Sequence, residues 1–220
     1  MNLTFWQERW QRNEIGFHQD TINPFLLAFW PRLGVAQDQR VLVPLCGKTQ
    51  DMLWLAQQGH RVVGVEVSTI AVEAFFKENS LQAEVLQRSN FAHWSCGPYE
   101  IICGDFFALT KAQIGQIDAV YDRASLVALP PERRHEYAQQ LKRLVTAEQK
   151  VLLITFVYPQ HEMDGPPFSV TEQEVDALYA DTWTVTLLHT EDILADKPRF
   201  RDKGVTKMEE KVYLFSAKSG

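Results

Sequence analysis

A chain of 220 residues with 45% hydrophobic and 23% charged side chains has apolar surface enough for a sizeable core, which excludes a disordered protein. Its 28 acidic against 22 basic residues give a net charge of −6, which argues against nucleic acid and anionic membrane as partners, because both need a clustered positive field. The opening MNLTFWQERW carries Glu8 and Arg9 where a secretory leader would be apolar. No apolar stretch reaches membrane-spanning length, and Cys46, Cys96 and Cys103 form neither an even framework nor a CxxC pair. A cytoplasmic protein with a small-molecule partner is expected, and nothing demands more than a monomer.

Trp6 and Trp10, four apart, share one face of a helix expected over residues 5–13. A second helix is expected over 24–33, with Asn23 as cap and Pro24 at its first position. From residue 41 short β-branched runs alternate with helical patterns, the order of a parallel sheet covered by helices. Strands are expected at 41–45, 62–67, 99–103, 117–121, 151–158, 184–188 and 211–217. Helices are expected at 49–58, stopping at Gly59, and after Ser68, with Ala71, Val72, Phe75 and Phe76 toward the sheet. A long amphipathic helix is expected at 131–145. Residues 81–98 are too irregular to assign. The proline-rich stretch 159–168 reads as a surface loop, followed by a capping box of Thr171 and Glu174. The last two strands lack a helix of crossover length between them. The fold class predicted is therefore α/β, a doubly wound, mostly parallel seven-stranded sheet with an antiparallel terminal hairpin. One domain is expected over residues 1–220, with 1–38 as a helical cover and 39–220 as the core.

Open α/β sheets bind ligands outside the carboxyl ends of their strands. Those ends carry Leu45-Cys46-Gly47-Lys48, then Glu66, then Asp105, then Asp122-Arg123. Gly47-Lys48-Thr49 is not a phosphate-binding loop, because the glycine needed five residues earlier is Leu42. The dinucleotide pattern GxGxxG is missing as well. Glu66 lies about 20 residues beyond the turn, where a carboxylate accepts the two hydroxyls of a ribose, although a helix-capping acid would look the same. Asp105 reads equally as an adenine-side acid or as a cap followed by two core aromatics. The six histidines show no paired metal-ligand spacing, so no metal is expected. His18, beside Phe17 in the expected cover, reads as a substrate contact or a surface histidine. Cys46 reads as a small buried residue.

Phe5-Trp6-x3-Trp10, Val43-Pro44-Leu45-Cys46-Gly47-Lys48, Gly64-Val65-Glu66, Tyr121-Asp122-Arg123-Ala124, Leu126-Val127-Ala128-Leu129-Pro130 and Lys211-Val212-Tyr213-Leu214 together resemble the thiopurine S-methyltransferase family along nearly the whole chain. The resemblance implies S-adenosyl-L-methionine as cofactor, with Trp10, Leu45, Glu66 and Arg123 lining its site and Asp105 a further candidate. It implies methylation of small aromatic or heterocyclic thiols such as thiopurines, with selenium and tellurium compounds as further acceptors. Arg123 is then the candidate catalytic residue, holding an anionic thiol, with Arg199 as a second cation, and Phe17 and His18 on the substrate side. Trp10 and Leu45 also fit plain core, and Arg199 a solvated loop charge. The rival functions are a nicotinamide-dependent oxidoreductase and a non-catalytic nucleotide-binding domain.

Overall fold

The computed structural model describes residues 3–218; residues 1, 2, 219 and 220 of the expected domain lie outside the described residues. Helix α1 covers Leu3–Gln11, and α2 covers Pro24–Phe29. Asn23 caps α2 by accepting the N–H groups of Phe25 and Leu26 at 2.9 and 3.3 Å. The helix expected to reach residue 33 gives way to a 3-10 turn at Trp30–Leu33. Pro31 has no N–H to return to the carbonyl of Leu27, so the α-helical ladder stops there.

The core then alternates β1 (Arg40–Pro44), α3 (Asp51–Gln57), β2 (Arg61–Glu66) and α4 (Thr69–Glu78). Ser68 caps α4 through Ala71 N–H, and the four expected sheet-facing residues of that helix are all buried. The stretch 81–98, unassigned from sequence, is a hairpin of β3 (Glu84–Arg88) and β4 (Phe91–Cys96). Next come β5 (Tyr99–Cys103), α5 (Lys111–Ile114), β6 (Ala119–Arg123), α6 (Pro131–Leu144), β7 (Lys150–Val157), α7 (Glu172–Tyr179), β8 (Thr184–Asp192), α8 (Pro198–Arg201) and β9 (Glu209–Ser216).

The described residues thus hold nine strands and not seven, in the order β3-β4-β5-β2-β1-β6-β7-β9-β8. The five central strands β5, β2, β1, β6 and β7 are parallel. The β3–β4–β5 edge is antiparallel, and so are β7–β9 and β8–β9, the last being the expected terminal hairpin. From β1 the chain winds outward through β2 to β5 and then returns to β6 on the other side of β1. The crevice between β1 and β6 is therefore the point where strand order reverses.

Alternate residues of the central strands feed two cores. Leu42, Val63, Val65, Ile102 and Val120 pack with Tyr137 and Leu141 of α6 and Val175 of α7. Val41, Val43, Val62 and Ile101 pack with Leu26 of α2, Leu55 of α3 and Phe75 of α4. Burial on both faces explains the near-continuous apolar runs; each such side chain contributes roughly 1.5–3 kcal/mol. A third cluster of Tyr158, Met163, Ile193, Phe200, Val205 and Met208 joins the loop at 159–168 to the stretch between β8 and β9. Glu162 tightens that joint, accepting the N–H and hydroxyl of Thr206 at 2.8 Å each.

The capping box at α7 is half formed. Thr171 Oγ1 accepts Glu174 N–H at 3.2 Å, but the Glu174 carboxylate is taken by the buried Arg134 guanidinium at 2.6 and 2.7 Å. A desolvated guanidinium is the stronger claimant. Among the described residues no helix is long and apolar enough to cross a membrane.

Candidate active site

Both strands flanking the crevice end in left-handed turns at residues other than glycine. Leu45, after β1, has φ +47°, and Ala124, after β6, has φ +64°. Such conformations cost on the order of 1–3 kcal/mol and persist only where the surroundings enforce them. Here Ser125 Oγ donates to the Pro44 carbonyl at 2.7 Å, tying the two turns together. The sequence reading carried β1 to residue 45; the positive φ of Leu45 ends it at Pro44. It also ended the fourth strand at residue 121, whereas Asp122 and Arg123 are paired with β7.

A cavity of about 250 Å3 opens over these turns. Gly47, φ +54°, lies so close to α1 that a Cβ there would stand 3.2 Å from the Trp10 ring. Trp10 is 6% exposed and is therefore at once core and cavity wall. Phe17 meets Trp6 and Trp10 edge to face, at 5.5 and 5.7 Å between ring centroids. One side of the cavity is thus a rigid aromatic surface. Phe5 stands behind it, edge-on to Trp6 at 5.3 Å.

Glu66 is the buried anion of the site. Its Oε2 accepts Gly47 N–H and its Oε1 accepts Ser68 N–H, each at 2.8 Å. Burial pushes its pKa above the ordinary carboxylate value, opposed by those backbone donors. A carboxylate has about four lone-pair positions, more than these backbone donors fill. Cys46, beside it, is buried, and burial pushes its thiol pKa well up, which leaves it a small inert residue.

The lining is also cationic. Arg123 and Arg199 both line the cavity, and among the described residues neither has a carboxylate within ion-pair distance. Burial, and then the charge of Arg123, lowers the pKa of Arg199, so the two guanidiniums share one field. Lys48 is different, since Glu78 holds it at 2.7 Å. His18 lines the same cavity and touches Asp20 at 3.2 Å through Nε2. Below lies a polar floor that sequence reasoning missed. Asp51 accepts Asn23 N–H at 2.8 Å and the Tyr121 hydroxyl at 2.9 Å. Its partners are 28 and 70 residues away in the chain.

The fold brings together Trp10, Phe17, His18, Leu45, Glu66, Arg123 and Arg199 around this one cavity. Asp105 is not among its lining residues. Its Oδ1 accepts Phe107 N–H at 2.9 Å and caps the turn Phe106–Ala108, with Phe106 in the core. The cap, one of the two readings of Asp105, is thus present in the fold.

A doubly wound sheet with a cavity at its switch point, a carboxylate ending the second parallel strand and an aromatic wall over the first turn is the arrangement of S-adenosylmethionine-dependent methyltransferases. Solved structures agree on the fold. A SAM-dependent methyltransferase from Anabaena variabilis superposes with a TM-score of 0.64 at 15% identity, covering 99% of this chain and 96% of its own. The 1,6-didemethyltoxoflavin-N1-methyltransferase of Burkholderia thailandensis, solved with S-adenosylhomocysteine, gives 0.62 at 14% identity over 97% and 87% of the two chains. The family model for Thiopurine S-methyltransferase (TPMT) matches residues 1–218. Proteins of that name from Nitrosospira multiformis and Xanthomonas axonopodis pv. citri are 48% and 50% identical, over 100% of both chains in the first case and over 97% of this chain and 98% of the relative in the second. The chain belongs to the thiopurine S-methyltransferase family and is an S-adenosylmethionine-dependent methyltransferase.

Proposed function

We propose that the enzyme methylates the sulfur of small aromatic or heterocyclic thiols, thiopurines among them, and that the chain is one domain whose residues 1–38 cover the site. The observation that carries this reading is the presence, in one cavity, of an aromatic wall and two guanidiniums that no carboxylate holds within ion-pair distance among the described residues. A flat ring matches the wall, and a thiolate on that ring matches Arg123 and Arg199. The names borne by the relatives point the same way.

S-adenosylmethionine supplies, when bound, an electrophilic methyl on a sulfonium sulfur. The residues present fit it. Glu66 keeps acceptor positions for ribose hydroxyls beyond its two backbone bonds, and the turn Leu45 to Gly47 offers a surface that only a glycine at 47 leaves free beside Trp10. No side chain in the wall needs to form a covalent intermediate. What the chain contributes is alignment, which in well-oriented systems lowers a barrier by roughly 7–11 kcal/mol. Trp6, Trp10 and Phe17 exclude water from a nucleophile whose charge is lost as it reacts. Arg123 and Arg199 stabilise the thiolate against its protonated form and fix its direction.

Methyl transfer from labelled S-adenosylmethionine to a thiopurine, to its oxygen analogue and to a ring-free thiol tests this. Strong labelling of the thiopurine alone is expected, with Arg123→Ala and Arg199→Ala each raising KM for the thiol more than for the cofactor. Equal labelling of the oxygen analogue, or none of any thiol, sinks the proposal.

A further inference from the structure

The thiol reading leaves a proton to be placed, because a neutral thiol must lose its hydrogen before or as its sulfur reacts. The cavity wall offers few acceptors. Its arginines and lysines are already cations. Glu66 is bound to two backbone donors, and Asp51 is held by Asn23 N–H and the Tyr121 hydroxyl and is 1% exposed. Glu14 faces Arg9 at 3.6 Å, and Cys46 is held protonated by burial. His18 is the remaining titratable side chain in that wall among the described residues.

Its surroundings suit proton transfer. The side chain is 11% exposed, while that of its partner Asp20 is 96% exposed, so the pair runs from the cavity wall to open water. Asp20 Oδ1 lies 3.2 Å from Nε2, within ion-pair distance of a protonated ring, and the neutral ring keeps one bare nitrogen as acceptor. Burial first, then Lys48 from the turn after β1 and, most weakly, Arg123 from β6, lower the imidazole pKa. Asp20 in its own loop and Glu78 of α4 raise it, with the net effect downward. The ring is therefore neutral near pH 7, and two cations work against retention of a second proton.

We propose that His18 and Asp20 form a proton relay that carries the substrate thiol's hydrogen out of the cavity. The S–H bond breaks with its electron pair left on sulfur, and the proton goes to the bare ring nitrogen of His18. The imidazolium, paired with Asp20 Oδ1, then gives that proton to bulk water at the exposed end, returning the ring to its starting form. The thiolate stays behind, facing Arg123 and Arg199. The relay rests on the thiol reading of the site and adds to it a base and an exit path.

Two measurements test it. Long-range proton–nitrogen spectra of the imidazoles in the parent protein are expected to show His18 neutral at pH 7; an imidazolium overturns the relay. Turnover is then compared for a thiol still protonated at the assay pH and for an electron-poor aromatic thiol already ionised there. His18→Gln is expected to lose on the order of 100-fold in kcat on the first, the usual scale of a lost general base, and far less on the second. Asp20→Asn should lose less, in the same pattern. Equal losses on both thiols, or none on either, overturn the relay even if the parent methylates both. A parent that methylates neither removes the thiol reading beneath it. Should His18→Gln lose its thermal stabilisation by S-adenosylhomocysteine, the imidazole spectra of the parent decide alone.

Discussion

Replacing Glu66 by glutamine changes one oxygen to an amide nitrogen and leaves the shape intact. The side chain then offers one acceptor where Gly47 N–H and Ser68 N–H each require one at 2.8 Å. The NH2 group must face one of these donors, and a buried donor without a partner costs about 1–3 kcal/mol. Removing a charge that burial disfavours offsets part of this. At roughly 2–4 °C per kcal/mol for a chain of this size, the ligand-free melting temperature should fall by a few degrees. The cofactor side loses more. A ribose hydroxyl bonded to a carboxylate is worth about 1.5–3 kcal/mol, so losing one such bond weakens S-adenosylhomocysteine by about 10- to 150-fold. Titration calorimetry of parent and variant measures this directly. The raised pKa of Glu66 adds a pH signature. As pH falls through that raised value, the parent carboxylate takes a proton and its affinity drops, whereas Glu66→Gln stays flat. A variant that binds within about threefold of the parent, below the smallest bond loss expected here, with the same pH profile, refutes the assignment of Glu66 to the ribose.

Gly47→Ala should weaken S-adenosylhomocysteine as well as stability, because the new Cβ meets the Trp10 ring at 3.2 Å and the backbone has φ +54°. Gly204→Ala carries the backbone strain alone, at φ +91° with no atom within 4 Å, so it should lower the melting temperature and leave calorimetric affinity unchanged. Asp122, fully buried beneath the Tyr137 hydroxyl at 2.7 Å, has its pKa pushed up from 3.8 to about 6 by burial. Between about pH 4 and 6 the folded chain keeps this proton while the unfolded chain releases it, so stability falls as pH rises. The loss is on the order of 3 kcal/mol at 1.36 per unit. Urea titrations of Asp122→Asn across that range should lack the decline, and an unchanged slope would rule out Asp122 as its source.

The legible part of the fold is the part whose side chains are buried on a regular period. The parallel strands announced themselves because Val41 to Val43 or Ile101 and Ile102 face helices on both sides. The hairpin of β3 and β4 did not, because all five residues of β3 are exposed and its turn, Ser89-Asn90, uses Ser89 at φ +53° in place of glycine. At the site, Glu66 and Arg123 were legible as charged residues interrupting apolar strands. Trp10 and Leu45 came only through the family resemblance, since an aromatic four residues from another reads as packing. Asp105 shows that an acid at a strand end can also cap: placed before Phe106-Phe107, it accepts the N–H of Phe107. Asp51 and Tyr121 were invisible because their pairing depends on strand order, which residue spacing does not encode.

Strand β9 lies between β7 and β8, though it follows both in the chain. A growing polypeptide that has emerged only as far as residue 208 therefore has β8 with no neighbour and β7 with a bare edge, both open to pairing with other chains. The cavity has a timetable as well. Its aromatic wall, first turn and Glu66 come from the first third of the sequence, whereas Arg199 is fixed only when the third cluster, which includes Met208, closes. The aromatic wall and the buried acid are thus synthesised early, Arg123 midway and Arg199 late. A chain halted before residue 199 would hold most of the cavity wall without its second guanidinium.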